Sequence, residues 1–266
     1  MKTDNGYFVG VDIGASTAKV VAIDASGEIL ATAVGRSGTD FEARAESLLS
    51  EALKEGQLDR DAMRFAVSTG YGRRNVAFSD DTKTEISCHA KGCYYYFPQA
   101  MTVIDIGGQD NKIIKVDASG GRKSFKMNRK CAAGTGAFLE EMAMRLDISL
   151  EDMDRLARET NEVVELGSFC TVFTATEVLE KIRAGYKVPG IVRGLYWSVA
   201  KRVLEMDTIE DTPVMSGGVA EHNPVLVDIV SEMIGRKVEL PPRPQLMGAL
   251  GAALFARSAV GGPDHV

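Results

Sequence analysis

One arrangement of strands and turns occurs twice in this chain and constrains its fold more than any other feature. In residues 7–34, an apolar strand, an Asp-x-Gly turn, a second strand, a hairpin turn and a third strand follow one another. Residues 101–127 repeat this order. Short apolar runs bounded by Gly, Asp and Ser clusters are typical of hairpin-connected strands, and self-similarity along a chain indicates related structural units. The sequence therefore predicts an α/β protein with two related domains, each beginning with a three-stranded antiparallel meander.

Apolar residues at helical spacing predict that most of the remaining chain is helical. In the first half, helices are expected at 42–54 and 85–97. Beyond residue 131, helices are expected at about 135–146, 150–158, 173–185, 189–206, 224–234 and 245–258. Further short strands are expected at 64–67, 213–215 and 236–240.

The composition excludes several classes of protein. The chain has 266 residues, and 31 Lys and Arg stand against 37 Asp and Glu, giving a formal charge of −6. This balance argues against binding to a nucleic-acid backbone, and the apolar content argues against disorder. No run approaches the roughly 20 apolar residues of a membrane helix, and MKTDNGY lacks the apolar core of a signal peptide. We expect a cytoplasmic protein without nucleic-acid or membrane partners, whose four cysteines are thiols or metal ligands.

The first Asp-x-Gly turn has the composition of a phosphate-binding loop. Asp12 ends an apolar strand, and small residues follow it, namely Gly14, Ala15, Ser16 and Thr17. Small side chains let backbone N–H groups approach phosphate oxygens, to which Ser and Thr hydroxyls also donate. Asp12 is a candidate Mg²⁺ ligand through water, and Lys19 supplies a positive charge.

The second Asp-x-Gly turn repeats this chemistry in the other half of the chain. Asp105 ends a strand and is followed by Gly107, Gly108 and Gln109. Asp105 is a second candidate Mg²⁺ ligand, and Gln109 is placed to orient a water for attack on a terminal phosphoryl group. A glycine pair, Gly217 and Gly218, follows the last predicted apolar strand and would allow close approach of a base or ribose. The GxxxxGK[ST] and GxGxxG patterns are absent at the strand ends, so neither a Walker A loop nor a Rossmann fingerprint is present there. We predict instead that the two Asp-x-Gly loops together hold one polyphosphate and its metal.

Longer motifs give the chain a specific family resemblance. It resembles the iron–sulfur activators of 2-hydroxyacyl-CoA dehydratases, which share a family with the ATP-hydrolysing subunits of benzoyl-CoA reductase. That family is part of the acetate kinase/sugar kinase/Hsp70/actin superfamily. The matching segments span residues 8–254 and are VGVDIGASTAK, STGYGR, SCHAKG, TVIDIGGQD, MNRKCAAGTGAFLE, CTVFTATEV, SGGVAEHN and GALGAAL. His222 in SGGVAEHN departs from the family pattern, which leaves the contacts to the base unspecified.

The resemblance implies a fold and a division of the chain. It implies two RNase H-like domains of the actin-like ATPase type with a nucleotide cleft between them. Residues 1–98 with 246–266 would form the first subdomain, and residues 99–245 would form the second. It also implies a homodimeric, oxygen-sensitive ATPase of an anaerobic host. Such an activator takes electrons from ferredoxin or flavodoxin and delivers them singly to an iron–sulfur dehydratase or reductase.

Two cysteines, Cys131 and Cys170, each precede a predicted helix. A helix N-terminus favours a thiolate, which is the form that binds iron. Two thiolates do not complete a four-cysteine cluster, whereas a symmetric homodimer supplies four. The resemblance implies this arrangement, with Cys131 and Cys170 of two chains holding one [4Fe-4S] cluster.

Four alternatives remain open from the sequence. Cys88 and Cys93 could complete a cluster within one chain, but five residues correspond to about 140° of helix rotation, so we interpret them as packing residues. A benzoyl-CoA reductase ATPase subunit would use the same site. A small-molecule kinase would leave Cys131 and Cys170 unexplained, and a non-catalytic nucleotide-binding regulator would show no steady ATP hydrolysis.

Overall fold

A computed structural model describes residues 6–168 and 170–261. The nine strands of this part of the chain are β1 (Tyr7–Ile13), β2 (Thr17–Ile23), β3 (Ile29–Arg36), β4 (Met63–Thr69), β5 (Asp81–Thr82), β6 (Met101–Ile106), β7 (Asn111–Val116), β8 (Arg122–Asn128) and β9 (Thr212–Ser216). The nine α-helices described are α1 (Phe41–Gly56), α2 (Glu85–Tyr96), α3 (Gly136–Leu146), α4 (Leu150–Arg158), α5 (Thr171–Arg183), α6 (Val188–Leu204), α7 (Gly218–His222), α8 (Pro224–Ile234) and α9 (Met247–Ala259).

The chain forms two compact units. The first comprises the described parts of Met1–Gln99, Asp117–Arg122 and Leu246–Val266. The second comprises the described parts of Ala100–Val116 and Lys123–Gln245. Each unit is built on its own sheet, in the order β3-β2-β1-β4-β5 in the first and β8-β7-β6-β9 in the second.

The first sheet is covered on both faces, because every residue of its central strand β1 is buried. Val9, Val11 and Ile13 belong to the apolar core that includes Leu48 and Leu49 of α1. Gly10, on the opposite face of the strand, lies against α9 so closely that a Cβ there would overlap the carbonyl oxygen of Ala249. Alternation along one strand therefore places helices on both faces of the sheet.

The second sheet carries the larger helical layer. Its core joins Ile104, Ile106 and Ile113 of the sheet to Phe138 of α3 and Tyr196 of α6. The apolar face of α6 is buried along its length, so this helix lies at the centre of the layer. The layer includes the helices that follow the two exposed cysteines.

The predicted internal repeat is confirmed. In each unit an antiparallel pair of strands, β1–β2 or β6–β7, is extended by a third strand. A later strand, β4 or β9, then pairs in parallel with β1 or β6.

The prediction of a strand at 236–240 is wrong, since Glu239 forms only an isolated bridge with Val214. The short helix α7 and strand β5 have no counterpart in the prediction. Among the described residues, no helix combines the length and the apolar character needed to cross a bilayer.

Replacing Gly10 by Ala should destabilise the protein by about 1–3 kcal/mol, because the new methyl group would meet α9 backbone atoms that have no room to move. The free energy of unfolding from urea titration measures this change. Gly35→Ala is the matched control in strand β3, since its methyl group would meet only the end of the flexible Arg44 side chain. An equal loss in the two variants would contradict the close β1–α9 packing.

Candidate functional site

The first predicted phosphate loop begins at a buried carboxylate paired with a lysine. Asp12 is only 6% exposed and lies opposite Lys19 in the β1–β2 register. The Lys19 Nζ lies 3.6 Å from Asp12 Oδ2 and donates to the Thr17 carbonyl at 3.3 Å. The lysine therefore links the carboxylate to the far side of the same turn.

The second loop has the same construction in the other unit. Asp105 lies opposite Lys112 in the β6–β7 register and is 2% exposed. Lys112 Nζ donates to Asp105 Oδ2 at 3.0 Å and to Asp110 Oδ1 at 2.8 Å. Ser216 Oγ, at the end of the parallel strand β9, donates to Asp105 Oδ1 at 2.9 Å. Hydrogen bonds to an ionised carboxylate are stronger than neutral ones, so Asp105 is rigidly held.

A glycine with a positive φ angle lies close to each of the two carboxylates. Gly70 has φ +86 and Gly217 has φ +95, and each follows the strand that pairs in parallel with the loop strand. A Cβ at Gly217 would lie 2.8 Å from Asp105 Oδ1, and one at Gly70 would overlap Asp12 Oδ1. Both the backbone angle and the close approach exclude a side chain at these positions.

The loops themselves are tight turns with accessible small residues. Gly14 N–H donates to the Thr17 carbonyl at 3.1 Å, and Gly107 N–H donates to the Asp110 carbonyl at 2.9 Å. Ala15 and Gln109 are exposed, whereas Gly14, Ser16, Thr17, Gly107 and Gly108 are half-buried. The second unit brings Asp105, Gly107 and Gly217 together, whereas Gly218 begins α7 against Gln245.

The carboxylates fit a magnesium–nucleotide site better than an all-protein metal cage. Within residues 6–168 and 170–261, no group of three or more His, Cys, Asp or Glu side chains is arranged to hold a metal ion. Both oxygens of Asp105 already accept hydrogen bonds. Mg²⁺ commonly uses one or two carboxylates, phosphate oxygens and retained waters. Asp12 and Asp105 therefore suit contact with a hydrated ion rather than full coordination.

The two candidate iron ligands occupy different positions relative to their helices. Cys170 is the N-cap residue of α5, and its carbonyl accepts the Thr174 N–H at 2.8 Å. Cys131 lies five residues before α3, which begins at Gly136. The helix predicted at about 135–146 is therefore confirmed, and Cys131 precedes it, but Cys131 lies outside the first turn, to which the effect of a helix dipole is confined. Both cysteines are exposed.

A carboxylate holds the segment that precedes Cys170. Glu177 Oε1 accepts the Gly167 N–H at 2.8 Å, and its Oε2 accepts the Ser168 N–H at 3.1 Å. Thr174 Oγ1 donates to the Ser168 carbonyl at 3.0 Å. Glu177 and Thr174 of α5 thus hold the segment that leads to Cys170, the N-cap residue of the same helix.

The other two cysteines are packing residues, as predicted. Cys88 and Cys93 are both fully buried in α2. Desolvation by this burial raises the pKa of the Cys88 thiol to about 12. A buried neutral thiol behaves as a small apolar side chain.

Sequence reasoning assigned no role to Gly70, Ser216 or Asn111, which the structure places around the loops. For Gly70 and Ser216 a signal exists, because each belongs to a Ser/Gly cluster directly after a short strand. Asn111 has no such signal, since an Asn after Asp110 is equally typical of an ordinary turn.

Comparison with known proteins places these features in a family context. Residues 9–256 match the BadF/BadG/BcrA/BcrD ATPase family. The activator of lactoyl-CoA dehydratase from Anaerotignum propionicum is 40% identical over 256 residues, covering 95% of this chain and 98% of that protein. A benzoyl-CoA reductase subunit from Thauera aromatica is more distant, at 27% identity over 258 residues, covering 92% of this chain and 91% of that protein.

Solved structures confirm the predicted fold class. A component of the Acidaminococcus fermentans (R)-2-hydroxyglutaryl-CoA dehydratase superposes with a TM-score of 0.90 at 37% identity, covering 95% of this chain and 98% of that one. The activator of the 2-hydroxyisocaproyl-CoA dehydratase from Clostridium difficile, solved with bound ADPNP, gives 0.88 at 37% identity, covering 95% of each chain. A ROK family glucokinase from Streptomyces griseus shares the fold at 14% identity and a TM-score of 0.57, covering 95% and 100%.

In the full-length chain stripped of iron, iodoacetamide at pH 8 should alkylate Cys131 and Cys170 and spare Cys88 and Cys93. The raised pKa of Cys88 leaves almost no thiolate at that pH, and both spared thiols are shielded by burial. Peptide mass spectrometry reports the sites. Alkylation in guanidinium is the control and should modify all four cysteines. Rapid labelling of Cys88 in the native chain would contradict its burial.

Proposed function

Because this chain belongs to the BadF/BadG/BcrA/BcrD ATPase family, we propose that it is an ATP-hydrolysing activator that delivers single low-potential electrons to a partner iron–sulfur enzyme. A 2-hydroxyacyl-CoA dehydratase or a double-cubane cluster protein would be that partner. The observation that carries the proposal is the pair of exposed thiols, Cys131 and Cys170, in a chain whose other cysteines are buried. Solvent-facing thiols suit a cofactor shared between copies, whereas buried ones do not.

The nucleotide part of the proposal rests on the duplicated loops. Gly14, Ala15, Ser16, Thr17 and Lys19 in the first unit, with Gly107, Gly108 and Gln109 in the second, would bind the phosphates of ATP or ADP. Asp12 and Asp105 would hold Mg²⁺ through water, and Gly217 and Gly218 would lie against the nucleoside. The two actin-like subdomains would be 1–98 with 246–266 and 99–245, and each would contribute one of these loops to nucleotide binding.

The cluster part rests on the chemistry of the two exposed cysteines. Four thiolates are needed for a [4Fe-4S] cluster, and two copies of this chain would supply them from Cys131 and Cys170. When bound, such a cluster supplies one-electron chemistry. The Glu177 contacts to Gly167 and Ser168 would fix the position of Cys170, and the Asn128 side chain, which donates to the Cys131 carbonyl at 3.1 Å, would support the other ligand.

The cellular setting follows from the same proposal. A cluster at a solvent-facing subunit boundary is open to oxygen, which fits a cytoplasmic protein of an anaerobic host. Reduced ferredoxin or flavodoxin would be the electron donor. Nucleotide turnover would drive the electron transfer only if the free energy of reducing the cluster differs between the ATP-bound and ADP-bound states of the protein. A benzoyl-CoA reductase ATPase subunit is less favoured, because the dehydratase activator is the more similar relative.

The protein purified without oxygen should contain about two irons and two sulfides per chain and behave as a dimer, since one four-iron cluster is shared by two chains. Cys131→Ala and Cys170→Ala should each abolish the iron content, while Cys93→Ala, at a buried position, serves as the cysteine control and should retain it. Iron and sulfide assays with light-scattering mass measure these quantities. Four irons per monomer, or iron retained in both exposed-cysteine variants, would overturn the shared site.

Replacing Gln109 by Ala should slow ATP hydrolysis by about 10²-fold while nucleotide affinity is kept, because the attacking water would lose its positioning partner. Phosphate release measures turnover, and titration with a fluorescent ADP measures affinity. Gln99→Ala, which changes an exposed glutamine outside both loops, is the control and should hydrolyse ATP at the parent rate. ATP hydrolysis at the parent rate in Gln109→Ala would contradict the role of Gln109 in positioning the attacking water.

A further inference from the structure

Two backbone hydrogen bonds tie the second phosphate loop to the start of α3. Gly136 N–H donates to the Gly107 carbonyl at 3.0 Å, and Ala137 N–H donates to the Gly108 carbonyl at 2.8 Å. The first N–H groups of a helix have no partner inside the helix, so the loop satisfies them. A Cβ at Gly136 would lie 3.2 Å from the Gly108 Cα, so the start of the helix packs closely on the loop backbone. Loop and helix start therefore move as one piece.

A buried side chain extends this connection to the Cys131 segment. Asn111, the first residue of β7, is fully buried, and its Nδ2 donates to the Gly134 carbonyl at 2.8 Å. Because a carbonyl only accepts, this bond fixes which way the amide points. The Asn111 Oδ1 is buried without a hydrogen-bond partner. Such an oxygen costs stability, so its presence requires a reason other than stability.

The segment that Asn111 holds has little freedom. Gly134 has φ +83, and a Cβ there would lie 3.2 Å from Asn111 Nδ2 and 3.1 Å from Arg202 Cγ of α6. Thr135 Oγ1 donates to the Ala132 carbonyl at 2.7 Å, which closes the turn after Cys131. A displacement of Asn111 would therefore move Gly134, and Cys131 lies only three residues before Gly134 in the chain.

Asn111 itself is anchored at the phosphate loop. It follows Asp110, whose carbonyl accepts the Gly107 N–H and whose carboxylate accepts from Lys112. Any change in the curvature of Gly107 to Asp110 on binding phosphate moves the backbone of Asn111 directly. These contacts thus connect the loop Gly107 to Asp110, through the side-chain amide of Asn111, to the segment that contains Cys131.

We propose that Asn111 is a positioning residue that couples occupancy of the Gly107–Gly108 loop to the placement of Cys131. The inference deepens the proposed function, since it assumes that the loop binds nucleotide phosphate. It does not require that Cys131 binds iron. Cys170 lies outside this connection, because its segment is held by Glu177 and Thr174 of its own helix.

The test measures the alkylation rate of Cys131 in the full-length chain stripped of iron, without nucleotide and with saturating ADP or ADPNP. In the parent chain, nucleotide should change this rate by about fivefold or more, the lower range of typical coupling between sites. Asn111→Ala should bring the ratio close to one while nucleotide binding remains measurable. Gln99→Ala is the control, since it changes an exposed glutamine outside both loops and outside residues 128–136, so the parent ratio should persist.

Each outcome is decisive. A nucleotide effect that persists in Asn111→Ala, or that is absent in the parent chain although nucleotide binds, overturns the proposal. If Asn111→Ala does not fold, Asn111→Leu tests the same connection, because Leu is of similar size but has no group that can donate to the Gly134 carbonyl, and a parent-like ratio there overturns the proposal. A parent chain that binds no nucleotide overturns the proposed function and this inference with it. Absence of iron in the anaerobic protein overturns the electron-transfer part of the proposed function and leaves this inference standing.

Discussion

The pairing of a buried strand-end aspartate with the lysine opposite it on the next strand underlies both halves of this protein. Asp12 with Lys19 and Asp105 with Lys112 each close a turn across one antiparallel register. A buried carboxylate is costly unless it is paired, and the lysine provides that partner within the same hairpin. The turn between the two residues is therefore held in a narrow shape, with its small side chains partly or fully exposed. The rest of each unit supports this arrangement, since helices cover the sheet and a left-handed glycine from the adjacent parallel strand closes the space beside the carboxylate.

The sequence predicted the parts of this architecture that depend on local pattern. The two meanders, the long helices and the burial of Cys88 and Cys93 follow from apolar spacing and turn residues, and all are confirmed. The residue assignments at the loops and the exposed cysteines remain predictions. Local pattern failed for the strand at 236–240, whose Glu239 forms only a single bridge, because a short stretch of alternating polar and apolar residues does not specify whether a partner strand is available.

The features that sequence reasoning missed depend on contacts between distant segments. Ser216 reaches Asp105 across more than one hundred residues, and Asn111 reaches Gly134 from the far side of the β7–β8 hairpin. Neither residue type is unusual where it stands. Tertiary contacts, rather than propensity, decide these positions.

The glycines beside the two carboxylates restrict how the halves of the chain can diverge. Each of Gly70 and Gly217 combines a left-handed backbone with an approach that leaves no volume for a methyl group. Most surface and core residues of the two halves can differ, provided that volume and patterning are kept. At these two positions neither half has an alternative amino acid. The two halves therefore share one strict requirement at equivalent places beside their carboxylates.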